Sequence, residues 1–561
     1  MSHTAPSRAT WRRLLIVLSA FTIAVTACGG SSGSSSSSSS GGGGGGSSSD
    51  TSKPTVGGKV VYSIEAETTG GFCLAEAQLA AAGIQVARSI FDTLAAPNDA
   101  GDYKPYLAKS ITPSADYKSW TIGLRDGVKF SDGTALDATV VKNNIDAYRG
   151  KYANRHPLLF VFVFSNIADV TVVDPMTVKV DMTLPWIDFP AYLFSSGRLG
   201  MMGQAQLDDA TGCDKNLVGT GPFMAKGAVT STTDIDLFKN PSYWQKDADG
   251  TQLPYLDELE YRAIPDDTAR LNALQSKQID VMHTDVPQVI TQLQPLADSG
   301  TIALTTSDKQ AETAYAMFNE SKPPFDNADA RAAVVLAFDN KTYNDTQNAG
   351  LLATSNGPFA PGNVGHLDST GFATFDKAAA QAKVAAYKAT TGQDLAFTYS
   401  TSNEPITIQG AQLVQQMMKD VGVTVTLANT DQSQLINQAI AGDFQMVGWR
   451  NHPGGDPDTQ YVWWHSGSPV NFGRINDPKV DSLLDDGRSN PDAAARKKDY
   501  EDLNKQFATA NHNLWEYWVK WSIATQTNVH GVFGPDLPDG GGKPAQGLAV
   551  GHPTLGLYVT K

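Results

Sequence analysis

Past the middle of the chain, apolar positions switch repeatedly between two spacings. Strand-like runs occur at Asp394–Ser400 (DLAFTYS), Val423–Ala428 (VTVTLA) and Asp443–Trp449 (DFQMVGW). Between them lie two stretches of helical spacing, PITIQGAQLVQQMMKDVG and QSQLINQAIAG, which end at Gly422 and Gly442. Strand side chains alternate faces at every residue, whereas helical ones return to a face about every 3.6 residues, so the spacing assigns the element. The pattern predicts β-α-β-α-β, hence parallel strands with right-handed crossovers. Ligands of such sheets lie beyond the carboxyl ends of the strands. The segment after the third strand, WRNHPGGDPDTQYVWWH (Trp449–His465), is therefore the first candidate binding loop.

The first half is patterned less regularly. GGKVVYSIEAE (Gly57–Glu67) opens with a short strand, and AQLAAAGIQVARSIFDTL reads as a helix with Ile84, Ala87, Ile90, Phe91 and Leu94 on one face. WTIGLRDGVKFSDGTALDATVVKNNIDAYR predicts a strand, a turn at Asp126-Gly127, a second short strand, a turn at Asp132-Gly133, and a helix from near Thr134. VTVVDPMTVKVDM (Val170–Met182) reads as a hairpin broken at Asp174-Pro175.

Residue chemistry sharpens the candidate loop. Trp449, Trp463 and Trp464 offer flat apolar surface for stacking or for lining a pocket. Asp456 and Asp458 can hold an ammonium group and Arg450 a carboxylate. The alternative is that the tryptophans are core and the aspartates cap a turn around Pro457. His452 and His465 stand thirteen residues apart without a ligand-spacing motif, so no metal site is expected. Outside the linker there is no Gly-x-Ser-x-Gly elbow, and His-Glu-x-x-His, Walker, kinase and Rossmann patterns are missing. No catalytic residue and no cofactor is expected; an exported glycan-acting hydrolase with carboxylates on loops is the enzymatic alternative.

The N-terminus adds an address. Arg8, Arg12 and Arg13 precede an apolar run, Leu14–Ala27, too short to be a good spanning helix, which is the layout of an export signal. VTAC (Val25–Cys28) closes it and resembles the lipobox of bacterial lipoproteins, whose cysteine carries a diacylglyceryl group. The resemblance implies a signal peptide over 1–27, a lipidated Cys28, and attachment to the outer face of the cell membrane. The Ser/Gly tract to residue 56 cannot bury enough apolar surface to fold. As a coil of about 22 residues it reaches roughly 25 Å root-mean-square. Loss of three arginines and no acid takes the net charge from −15 to −18, which argues against nucleic acid as a partner. With Cys28 lipidated, Cys73 and Cys213 remain and are expected to pair in an oxidising compartment; the alternative is two buried free thiols.

Five motifs in order carry a wider resemblance: IFDTLAAPNDAGDYKPYLAKSITPSADYKSWTIGLRDGVKFSDGTALDATVV, LVGTGPF (Leu217–Phe223), NPSYWQK with LPYLDELEYRAIPDDTARLNALQSKQIDVM, MFNESKPPFDNADARAAVVLAFD, and NDPKVDSLLDDGR. Together they span about residues 58–535, and over them the chain resembles the family 5 solute-binding proteins of ABC importers. The resemblance implies an α/β, two-lobed periplasmic-binding-protein-like fold with a hinge and an extra N-terminal subdomain. Lobe I is expected over 57–313 plus 526–561 and lobe II over 314–525, with crossings near Thr313–Asn319 and Trp515–Thr525. It further implies a monomer that captures a peptide-like solute by lobe closure and delivers it to permease subunits served by a separate ATPase. An oligosaccharide or a metal chelate is the alternative cargo. Asp456 lies nearest the position where peptide binders carry an acid for the peptide amino group, with Asn451 and Asp458 also possible. On the first lobe the candidates are Glu65, Glu67, Phe72, Thr220 and Gly221, the two glutamates being equally readable as turn acids.

Overall fold

The computed structural model describes residues 53–451, 454–547 and 554–561, with the backbone alone at Ser433. Cys28, the leader and the Ser/Gly tract lie outside the described residues, as do His452 and Pro453.

Two large sheets organise the body. The first has seven strands in the order Ile302–Ser307, Trp521–Gln526, Val281–Thr284, Lys59–Ile64, Glu258–Ala263, Asp234–Lys239 and Phe223–Ala225. Lys59–Ile64 runs parallel to both of its neighbours, and the remaining pairings are antiparallel. The second has five strands in the order Thr424–Thr430, Ala396–Ser402, Met446–Asn451, Thr313–Phe318 and Asn513–Trp518. Its first three are parallel and are joined by helices Pro405–Lys419 and Gln432–Ala441, so the predicted β-α-β-α-β unit is present. Gly442 ends the second of these helices at φ 71°, a left-handed conformation that a Cβ disfavours.

A four-stranded antiparallel sheet, ordered Ala108–Pro113, Ser119–Leu124, Thr177–Met182 and Ile167–Asp174, is inserted between strands of the first sheet. The hairpin expected at Asp174-Pro175 joins its last two strands. The second short strand expected after Asp126-Gly127 is reduced to a single antiparallel bridge, Lys129 to Ala135, with Phe130 N–H closing the turn onto the Thr134 carbonyl. The following helix starts at Ala138, later than expected, because the Asp137 carboxylate accepts from Val140 N–H and caps it. Cys73 and Cys213 are joined by a disulfide that closes a loop with a sequence separation of 140.

The chain passes between the two sheets twice, at 308–312 and at Val519–Lys520. Thr313–Phe318, expected as a crossing, is instead a strand buried at every position, paired on both sides. The strand Trp521–Gln526, assigned to lobe II up to residue 525, is hydrogen-bonded into the first sheet. A run of strand-like residues does not show which sheet it joins, so the crossings lie a few residues from where the resemblance puts them. The two passages are tied together: Val519 N–H donates to the Glu312 carbonyl at 2.8 Å, and Trp521 Nε1 donates to Glu312 Oε2 at 3.2 Å.

Candidate functional site

A cavity of about 380 Å³ lies between the two sheets. Its walls are largely built where strands end. Glu65 follows Lys59–Ile64, Asp285 follows Val281–Thr284, Glu404 lies just past Ala396–Ser402, and Arg450 is the last residue but one of Met446–Asn451. Strand carboxyl ends leave the chain turning away from the sheet, so both sheets open a crevice there. Trp449, Trp463, Trp521, Tyr315, Tyr399 and Tyr517 supply aromatic surface.

The cavity's charges fall into paired and unpaired groups. Glu65 Oε2 meets His283 Nδ1 at 3.0 Å. Burial pushes the Glu65 carboxyl up, but His283 and the nearby Arg270 outweigh it and hold it below the usual range. The His283 ring lies on Trp521, centroids 4.3 Å apart and planes 7° apart, which fixes its direction. Arg450 pairs with Asp285, joining the second sheet to the first across the cavity. Burial disfavours the Arg450 charge, yet Asp285 raises its pKa above the ordinary guanidinium value. Glu516 differs: it is 6% exposed, lines the cavity, and its Oε1 has no hydrogen-bond partner among the described residues. Burial pushes its carboxyl up to about 7, opposed only by Arg450. Glu404 is also raised by burial.

Four of the twelve ligand-contact candidates, Glu65, Trp449, Arg450 and Trp463, lie on the cavity wall. The others do not. Glu67 is exposed and accepts from Thr232 Oγ1 at 3.1 Å. Phe72 is 2% exposed in the hydrophobic core. Thr220 is fully buried, and Gly221 is packed so closely on Ile90 that a Cβ there would lie 2.5 Å from its carbonyl carbon. Gly221 thus makes its close approach to a helix end, not to a ligand. Asn451 is buried, accepting from Tyr315 Oη at 3.1 Å and donating to Gln460 Oε1 at 3.2 Å.

The two aspartates are internal ion-pair partners. Asp456 accepts from Arg496 Nη1 at 2.7 Å and also caps the turn at Asp458 N–H. Asp458, with no exposed surface, accepts from Arg488 Nε at 2.8 Å and Trp186 Nε1 at 2.7 Å. The Arg488 guanidinium lies 3.5 Å from the centroid of the Tyr461 ring and 4.5 Å from that of Trp186. Trp464 is 1% exposed among Tyr315, Phe507 and Trp515. These side chains hold the loop to its surroundings and leave it no free acid at either position.

Sequence reasoning missed Glu516, Asp285 and Glu404. Glu516 carried a signal: it is the one acid in the apolar strand NLWEYW, and a charged residue in a buried run needs a reason. Asp285 and Glu404 carried none, since each is one acid among 58.

Residues 102–473 match the family model described as bacterial extracellular solute-binding proteins, family 5. The glutathione-binding protein GsiB of Salmonella paratyphi A is 28% identical over 351 residues, 62% of this chain and 65% of that protein, so the match spans just under two thirds of the relative's length. The nickel-binding periplasmic protein of Escherichia coli is 23% identical over 430 residues, covering 72% of this chain and 78% of the other. Two solved structures share the fold. The oligopeptide-binding protein AppA of Bacillus subtilis, in complex with a nonapeptide, has a TM-score of 0.77 at 20% identity, covering 91% of this chain and 100% of the other. AgaA of A. tumefaciens R10, in complex with agropinic acid, has a TM-score of 0.78 at 23% identity, covering 90% and 99%.

Proposed function

This chain belongs to the bacterial extracellular solute-binding proteins of family 5, and from that premise we propose that it captures a peptide-like solute between its lobes, unaltered, and hands it to an ABC permease served by a separate ATPase. What carries this reading is the cavity bounded by both sheets and crossed by the Arg450–Asp285 pair. A solute that touches both walls favours the arrangement in which they face each other, and its differential contact energy is what shifts the lobes. Its volume of about 380 Å³ lies within the range of small-ligand pockets, ~300–1,000 Å³. Exclusion of water strengthens every charge-assisted bond inside it.

The lobes in this proposal follow the sheets. Among the described residues, those from 53 to 307 and from 521 onward form one, those between 313 and 518 the other, and the passages at 308–312 and Val519–Lys520 act as the hinge. The inserted four-stranded sheet is the extra subdomain of the first lobe. Cys28 anchors the mature chain by lipid to the outer face of the membrane. A Cys28→Ser variant should leave the detergent phase of a Triton X-114 partition if that is so.

A peptide cargo is favoured because strand ends and polar groups line the cavity alongside apolar surface, suiting a backbone with varied side chains. An oligosaccharide is the second reading, favoured by the indoles of Trp449, Trp463 and Trp521 on the wall. A metal chelate would share the cavity. Native mass spectrometry of protein purified without harsh washing tests the reading: a retained organic mass, lost on partial unfolding, is expected, and its value separates the classes. A mature protein that retains no cargo, binds none of a peptide, sugar and chelate panel, and keeps one small-angle scattering profile throughout would overturn it.

A further inference from the structure

Glu516 has no role in holding the fold that its contacts reveal. It sits on the strand Asn513–Trp518, 94% buried, with its carboxyl on the cavity wall and Oε1 unpartnered among the described residues. Burying a carboxylate without a donor or a counter-charge is costly, so buried acids are ordinarily paired. The nearest cation, Arg450, is engaged by Asp285. Glu65 has His283, and Asp456 and Asp458 have their arginines. The other buried acid on the wall, Glu312, accepts from Trp521 Nε1, whereas Glu516 keeps an oxygen with no donor among the described residues.

Building on the binding-protein reading, we infer that Glu516 is the cation subsite of the cavity, receiving a protonated nitrogen of an organic solute, an ammonium carried at a peptide's amino terminus or on a basic side chain. Tyr517, Tyr343 and Tyr399 line the same wall and supply aromatic surface for the methylenes that adjoin such a group. A bare divalent metal fits less well, because among the described residues no three His, Cys, Asp or Glu side chains converge on one point.

The groups facing Glu516 are Arg450, from the strand on the far side of Thr313–Phe318, with Asp285 behind it, and the hydroxyls of Tyr343, Tyr399 and Tyr517. The tyrosines are raised above their ordinary range by burial and stay neutral. Arg450 stays charged. Among the groups facing it, the Glu516 carboxyl, pushed up to about 7 by burial, is the one that changes state around neutral pH. An arriving cation favours its ionised form and so expels a proton.

The test uses the mature protein and four probes: trialanine, N-acetyl-trialanine, N-acetyl-alanyl-lysyl-alanine and maltotriose. Calorimetric titration should show at least one cationic probe binding more tightly than N-acetyl-trialanine by about 30-fold or more, as expected for a desolvated charge pair. Which of the two cationic probes leads identifies the source of the nitrogen. Glu516→Gln should abolish that margin and leave N-acetyl-trialanine unchanged. Binding enthalpy at pH 7 should depend on buffer ionisation heat with the sign of proton release, a readout that needs no variant. Equal binding of charged and acetylated peptides, a margin that survives Glu516→Gln, or a buffer-independent enthalpy overturns the cation subsite while the binding-protein reading stands. Binding of maltotriose alone has the same effect and moves the cargo to the sugar class. Silence from all four probes in folded protein removes the subsite together with the peptide reading.

Discussion

Asp458 separates the two roles open to an acid in the loop after Met446–Asn451. The sequence allows it to face a solute; the structure gives both of its oxygens to internal donors, Arg488 Nε at 2.8 Å and Trp186 Nε1 at 2.7 Å. Asp458→Asn keeps the volume and can still accept from the indole, but it removes the charge that neutralises Arg488. That guanidinium has a 7% exposed side chain and cannot turn to water. Breaking a buried pair from one side costs ~3–5 kcal/mol. Contact of Arg488 with the Tyr461 and Trp186 rings persists, which places the expectation near the lower end, about 3 kcal/mol. Urea denaturation followed by tryptophan fluorescence measures it as a fall in midpoint at constant slope. Adding Arg488→Met should recover a large part of the loss, because the orphaned charge goes with it. Solute affinity should change little, since Asp458 has no exposed surface and is not on the cavity wall. An unchanged midpoint together with a tenfold loss of affinity would refute this reasoning and return Asp458 to the solute.

Three further outcomes are expected. Gly221→Ala places a methyl 2.5 Å from the Ile90 carbonyl carbon and 2.6 Å from its oxygen, so denaturation should show a loss of about 2 kcal/mol or more, as for overpacking against backbone, with affinity retained by the folded fraction. Removing the disulfide as Cys73→Ser/Cys213→Ser frees a loop with a separation of 140 residues; the chain-entropy estimate is ~5 kcal/mol, read by comparing denaturation of the variant with that of the oxidised protein. His512 is raised above its ordinary value: burial opposes the charge, but hydrogen bonds to Asp477 and Glu320 outweigh it. Its contribution is therefore complete below about pH 6.5 and lost as pH rises through the raised value. The stability difference between wild type and His512→Gln should shrink on going to alkaline pH, and a difference that grows there would refute the assignment.

Much of the second sheet was legible because its signals are local. Alternation marks strands, 3.6-residue spacing marks the helices between them, and Gly442 marks one helix end. Legible too was the place of the cavity, beside the carboxyl end of Met446–Asn451, and with it Trp449 and Arg450. The partners of the loop acids were not legible, because Arg488 and Arg496 lie 30 and 40 residues downstream on helices Pro478–Ser489 and Ala493–Ala510. Only the packing of those helices against the loop decides whether the aspartates meet an arginine or a solute. Gly219 and Gly221 both pack on the Ile90 carbonyl, but a glycine in a sequence does not say what it approaches. The helix expected over AQLAAAGIQVARSIFDTL is confined to Ala81–Ile90, since from Phe91 the backbone becomes extended and Thr93 bridges to Gly200. Apolar spacing continues past the helix end there because both conformations face the same core.

The position of Trp521–Gln526, wedged between Val281–Thr284 and Ile302–Ser307, also governs the order in which a nascent chain can assemble. By the time residue 518 has been synthesised, every strand of the five-stranded sheet exists. The seven-stranded sheet, although it begins at residue 59, still lacks an interior strand and leaves the facing edges of Val281–Thr284 and Ile302–Ser307 unpaired. The half that starts last can thus finish first, reversing the usual N-to-C progression of domain formation. Until residue 526 emerges, the earlier half remains open to illegitimate strand pairing, and any holdase that escorts this polypeptide has its work there.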